Sequence, residues 1–194
     1  MDAVEFLLLR YSDVHRFMVE ELLTGPSHAQ VKSRPQPTIN PIAWLLWHTA
    51  RIEDVGVNRL LADRPQVLDD GWMERLAVSR RDVGTGMTGA EVDDLSARID
   101  VDGLRGYWTA VTQRTLTVIE TLRAGDLDAP VDAARVQRVA AGEGAVAPAA
   151  AWLGEFWASG RSRAWVLAQV ALLHPYGHWF DARVTKGLWG FPSP

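Results

Sequence analysis

Apolar residues in this chain recur at three- and four-residue spacing through four long stretches and almost nowhere alternate, which commits it to helices. From Asp2 to Leu23, Val4, Leu7, Leu8, Tyr11, Val14, Phe17, Met18 and Leu22 form a first amphipathic set, closed by Thr24-Gly25-Pro26. The loop from Ser27 to Thr38 is punctuated by proline, after which Asn40 supplies an N-cap and Pro41 the first helical position. The second helix carries Ile42, Leu45, His48, Ile52 and Val55 on one face, so His48 points inward, and it ends near Asp63-Arg64-Pro65. A third helix runs from Val101 or Gly103 to Leu122, and a last one from about Ser162 to Lys186 or Gly187.

The connections are long. Residues 66 to 89 read as an irregular crossover with Trp72 in a linker, and Thr88-Gly89-Ala90-Glu91 fits a capping box that opens a short helix to about Arg98. The stretch from Arg123 to about Pro148 shifts to Ala, Gly, Val, Asp and Arg, and about 124–160 reads as an insertion with one weak element inside a single domain, 1–194. Four helices without strands make the fold all-α: an antiparallel helix bundle made irregular by its crossovers. The nine tryptophans read chiefly as large core residues, some of them available to line a ligand pocket.

Composition removes several function classes. A formal net charge of −4 gives no field to draw nucleic acid or an anionic membrane, so neither is expected as a partner. The absence of cysteine excludes disulfides, thiolate ligands and a cysteine nucleophile together. No signal peptide or 18-residue apolar span is evident, and a cytoplasmic location is expected. There is no Gly-x-Ser-x-Gly elbow, and the glycines at 84, 86 and 89 do not follow a strand as a phosphate-cradling loop would.

The chemistry is concentrated in histidine. His174 and His178 stand four apart in Leu-Leu-His-Pro-Tyr-Gly-His-Trp, a spacing that puts both on one helix face. If His48 meets them across the bundle, the three form an open nitrogen site of the catalytic zinc kind, completed by water or substrate. The pattern alone leaves the alternative that these are satisfied core histidines, because spacing does not show that the helices meet. Pro175 complicates the geometry: its ring and missing N–H disturb the preceding turn and push His174 away from the α region, so the helix kinks or restarts there.

Asn40-Pro-Ile-Ala-Trp-Leu-Leu-Trp-His48-Thr-Ala-Arg-Ile-Glu-Asp54, followed far downstream by His174-x-x-x-His178 and joined by the Gly84-Thr-Gly86-Met-Thr88 loop, resembles the DinB/YfiT-like superfamily. That superfamily includes thiol S-transferases and the N-terminal domain of mycothiol-dependent maleylpyruvate isomerase. The resemblance implies a DinB-like four-helix bundle with a divalent metal at His48, His174 and His178. Zinc is the leading ion, with nickel, cobalt or iron as alternatives, and mycothiol or another low-molecular-weight thiol is the implied cosubstrate. With no cysteine in the chain, the nucleophile would be metal-bound water or an exogenous thiol, delivered to a small-molecule electrophile. The alternative is a non-catalytic metal- or ligand-binding bundle, or a homodimeric interaction module.

Asp181, Glu53 and Asp54 are candidates to hold a ligand imidazole from behind, although Glu53 and Asp54 lie five and six residues past His48 and read better as solvated surface. Arg51, Arg80, Arg81, Arg161, Arg163 and Arg183 are available for a thiol's carboxylates, most of them as solvated charges. His15 and His28 read as outside any site.

Overall fold

The computed structural model describes residues 3–191, so the expected start of the first helix at Asp2 lies outside the described residues. Four long helical rods make the frame. The first is α1 (Ala3–Arg16), prolonged by a wide π turn over Phe17–Glu21. Then come a one-turn α2 (His28–Lys32) and the second rod, α3 (Ile42–Glu53), prolonged by a π-helical stretch Asp54–Leu61. The crossover carries α4 (Asp70–Leu76) and α5 (Gly89–Arg98), and the third rod is α6 (Val101–Thr121). Three short helices, α7 (Ala124–Leu127), α8 (Ala133–Gln137) and α9 (Ala151–Trp157), precede the last rod, α10 (Arg163–Ala168) running through a π turn into α11 (His174–Leu188). Among the described residues there is no strand, only an isolated bridge between Pro130 and Ser162.

Side-chain contacts fix the directions of the rods. Trp108 Nε1 donates to Leu46 O at 2.8 Å and Thr115 Oγ1 to Glu53 Oε1 at 2.7 Å, a seven-residue step on both helices, so α3 and α6 run parallel. Arg10 reaches Tyr176 Oη at 2.6 Å and Lys186 Nζ reaches Glu21 O at 2.6 Å, so α1 and α11 are parallel too. His15 meets Thr112, and Tyr11 shares Glu53 with Thr115, which sets α1 against α6. The expected antiparallel bundle is therefore two parallel pairs packed head to tail. Parallel neighbours cannot be joined by a short loop, and the long crossover over residues 62–100 is what allows α3 and α6 to point the same way. The last rod comes so close to α3's extension that a Cβ on Gly56 would lie 2.8 Å from Val170.

Several sequence expectations are corrected here. α3 begins at Ile42 rather than Pro41, because the Asn40 carboxamide accepts from Arg34 (3.1 Å) instead of capping. Ser27 and Gln30 form a capping box inside what reads as a proline-rich loop. Trp72 lies in α4, not a linker, because the Asp69 carboxylate caps that helix by accepting from Trp72 N at 2.8 Å. The stretch before the last rod holds several short helices rather than one weak element, and its Val136, Val139, Val146, Leu153 and Trp157 are core residues. The capping box at Thr88 and Glu91 and the burial of Trp44, Trp47, Trp108, Trp157 and Trp179 agree with expectation.

The largest correction concerns α3, which is buried on every side, with Thr49, Arg51, Glu53 and Asp54 inside. Glu53 and Asp54 are thus not solvated surface. Arg51 is likewise unavailable to a ligand: it is fully buried and held by Asp54 at 3.0 Å. Burial pushes the Glu53 carboxyl up to about 7, against the pull of the Tyr11 and Thr115 hydroxyls that donate to it, with the Asp54 charge adding to the rise. A raised carboxyl keeps its proton longer in the folded state than in the unfolded chain. Its contribution to stability is therefore complete below the unfolded value near 4.3 and is lost as pH rises through about 7, a change on the order of 3 kcal/mol. Glu53→Gln, which cannot ionise, is expected to flatten this slope. Urea unfolding of both proteins at pH 5 and pH 8 checks it, and an unchanged difference between the two pH values would contradict it.

Candidate metal centre

His48 is placed by the middle of α3, where Trp44, one turn earlier, stacks on its ring with centroids 4.7 Å apart and planes 9° from parallel. Behind the ring, Nδ1 lies 2.5 Å from the carbonyl oxygen of Val83. A carbonyl only accepts, so Nδ1 carries the hydrogen and Nε2 presents its lone pair forward. The Val83 carbonyl is itself held: Val83 N donates to Ala145 O at 2.9 Å, and Gly84 N donates to the Asp82 carboxylate at 2.8 Å.

His174 and His178 come from the first turns of α11. The chain stays helical through Pro175, which falls in the first turn of α11, and His174 keeps α-helical angles (φ −64, ψ −49) rather than leaving the α region. The preceding turn widens to a π turn over Gln169–Leu173, in which His174 N–H donates five residues back to Gln169 O. That extra residue per turn moves the carbonyls that the proline ring would strike, and such single wide turns recur at functional sites. The four-residue spacing of the histidines therefore survives, and their rings lie 4.6 Å apart at 88°.

The three histidines converge. His174 Nε2 is 3.2 Å from His48 Nε2, and one nitrogen from each of the three rings falls within 4.8 Å of the others. Nitrogens at about 2.0–2.1 Å from a shared tetrahedral ion lie roughly 3.4 Å apart, so the set fits a divalent ion with small adjustment. His178 Nδ1 lies 3.0 Å from the Asp181 carboxylate, the imidazole–carboxylate arrangement that orients a ligand ring. His174 Nδ1 is buried without a partner among the described residues. Burial lowers His48 to about 3, with the neighbouring His178 adding to the fall and the Val83 hydrogen bond opposing it. Burial and the two other histidines hold His174 well below its ordinary value. Both rings are thus neutral, the form that coordinates a metal.

A cavity of about 350 Å³ opens on His48 and His174. Its wall is Trp152, Phe156 and Trp157 of α9, and Thr85 and Gln169 are its neutral polar members. The sequence points to Asp181 and the histidines and offers the tryptophans as pocket-lining residues without placing them, but it shows neither Phe156 nor the Val83 carbonyl. A backbone oxygen leaves no residue-type signal, whereas Trp44, four residues before His48 on one helix, was findable by spacing. The other candidates lie elsewhere: His15 bonds Thr112 at 2.6 Å, His28 is exposed, Arg80 pairs with Asp82 and Glu91, Arg81 with Asp70, and Arg183 stacks on Trp179.

Fold and site together define an all-α bundle carrying an open three-histidine group of the kind that could hold a metal ion. The sequence profile of the DinB superfamily matches residues 13–159, most of the chain, and the protein belongs to that superfamily. The matched span includes His48 and stops short of His174 and His178. A conserved protein of Enterococcus faecalis, known from its crystal structure, superimposes with a TM-score of 0.71 at 20% identity, covering 97% of each chain, which shows the fold. No curated protein matches the chain.

Proposed function

We propose that the protein is a divalent-metal-dependent enzyme of the DinB type, holding its ion at His48, His174 and His178. It would transfer a low-molecular-weight thiol of the mycothiol kind, or water, to a small electrophile. The observation that carries this reading is the convergence of three imidazoles, two of which, His48 and His174, line a cavity, with no fourth protein ligand in the group among the described residues. Zinc is the leading ion because three imidazoles with one open position suit it, and nickel, cobalt and iron also accept imidazole.

When bound, the ion supplies a Lewis acid that polarises a substrate oxygen and favours the anion of a neighbouring thiol or water. The chain does the rest. Val83 and Asp181 hold His48 and His178 in orientation, the α9 aromatics give the cavity an apolar wall, and the absence of cysteine means that any thiol must come from outside.

The test is to incubate the zinc-loaded protein with 1-chloro-2,4-dinitrobenzene and mycothiol, with other small thiols, or with water alone. Turnover above background that falls at least about 100-fold in a folded His48→Ala variant is expected, the scale that loss of Lewis-acid catalysis implies. No turnover with any nucleophile would leave the non-catalytic binding bundle, and turnover indifferent to His48 would remove the three-histidine site from the reaction.

Phe6 and Leu9 of α1, with Leu173, Phe180, Val184 and Leu188 of the parallel last rod, stay exposed, and their exposure supports a homodimer through these apolar side chains. A monomer mass by light scattering would remove that part of the reading.

A further inference from the structure

The cavity beside the histidines is more selective than the metal reading requires. Apart from the histidines, no ionisable side chain among the described residues lines it: Ile52, Leu153 and Val170 complete the wall begun by the three α9 aromatics. Arg161, the guanidinium engaged with this wall, lies 5.2 Å from the Phe156 ring and 4.5 Å from the Trp165 ring and is not part of the lining. Neither the Thr85 hydroxyl nor the Gln169 carboxamide is hydrogen-bonded to another described residue, so both remain free for a ligand.

We propose that this cavity takes an uncharged aromatic or bulky apolar electrophile whose single polar group, a carbonyl or amide, is received by Thr85 and Gln169. That it is an electrophile rests on the function proposed above; its neutrality and apolar body rest on the lining alone. An anionic group would find a counter-charge only in an ion held by the histidines, since His48 and His174 are themselves neutral. Farther along, it would be desolvated against tryptophan and phenylalanine with no cation to meet it. A dicarboxylate is therefore a poor fit, and a flat ring system with one amide-like group is a good one. The volume of about 350 Å³ lies in the range that encloses small organic ligands. Thr85 and Gln169 set specificity because a ligand lacking the polar group would leave both of them desolvated and unpaired.

The test uses the full chain, stripped of metal with chelator, and a pair of probes of the same shape: 2-naphthamide and 2-naphthoate, with naphthalene as the apolar reference. Binding is followed by tryptophan fluorescence and calorimetry. The amide is expected to bind at least about tenfold more tightly than the carboxylate. Thr85→Val and Gln169→Leu should each weaken the amide without weakening naphthalene, and Gln169→Arg, which adds a cation, should narrow or reverse the preference. Trp152 is 58% exposed, so Trp152→Ala should weaken the amide and naphthalene alike while the melting temperature holds.

Equal binding of amide and carboxylate by the stripped protein, no binding of either, or indifference to both Thr85→Val and Gln169→Leu would overturn the proposal. Zinc uptake by the same samples separates the two levels. Zinc bound with no naphthamide affinity overturns the cavity assignment alone, whereas naphthamide bound with no zinc taken up overturns the metal-dependent reading and leaves the cavity's preference standing.

Discussion

The Asp54→Ala protein is expected to lose about 3–5 kcal/mol of unfolding free energy, the cost of stripping one partner from a buried ion pair. Both Asp54 and Arg51 are completely buried, and the carboxylate accepts from five donors: Arg51 at 3.0 Å, Asn58 at 2.8 Å, Tyr107 at 2.6 Å, and the backbone N–H groups of Val67 (2.8 Å) and Leu68 (3.0 Å). Truncation leaves a guanidinium uncompensated and two amides at the start of the crossover without an acceptor. Arg51 in turn donates to Gln66 and to the Arg81 carbonyl, both at 2.6 Å, so the pair fastens α3, α6 and the crossover to one another. Because whole domains are stable by only about 5–15 kcal/mol, this single change should move the denaturation midpoint far. Replacing both members with apolar residues of similar size should recover much of the loss, since it leaves no unpaired charge. A loss below about 1 kcal/mol in Asp54→Ala, measured by urea unfolding, would mean that the cluster is not the clamp described here.

Gly84→Ala is expected to weaken metal binding by about 10–100-fold, the scale seen when a group behind a metal ligand is displaced, while the bundle stays folded. Gly84 sits at φ +79, and a Cβ there would lie 2.4 Å from Trp47 Cζ3, an atom of a fully buried ring that cannot retreat. The backbone must yield instead, and the residue that moves with it is Val83, whose carbonyl sets the tautomer and direction of His48. The left-handed conformation itself costs a non-glycine residue roughly 1–2 kcal/mol. A zinc titration against a competing chelator reads the effect. Wild-type affinity in Gly84→Ala would show that the Val83 carbonyl does not position His48.

The rods and the three histidines were legible in the sequence for a common reason: each depends on spacing along one helix. Leu45, His48 and Ile52 share a face because α-helical periodicity puts them there, and His174 and His178 do so once the chain stays helical past Pro175. What spacing cannot convey is how helices surround one another. α3 reads as amphipathic, and only its neighbours on every side turn Arg51, Glu53 and Asp54 from surface charges into a buried polar layer. Pro175 reads as a break, but a π turn needs no special residue and so leaves no mark in the sequence. α9 was lost in a stretch of alanine and glycine because Trp152, Phe156 and Trp157 acquire meaning only when that stretch folds back over the cavity. The parallel direction of α3 and α6 was implicit in the length of the crossover, which reads as irregularity until the contacts of Trp108 and Thr115 show its purpose.

The most direct test of the account is the metal content of untagged protein purified without chelator, set beside a His48→Ala/His178→Ala double variant whose fold is verified by circular dichroism. Close to one divalent ion per wild-type chain, and none in the folded variant, is the predicted result. A wild-type protein that carries no ion and takes up none from zinc, nickel, cobalt or iron solutions would contradict it, and His48, His174 and His178 would then be core histidines that meet without a metal.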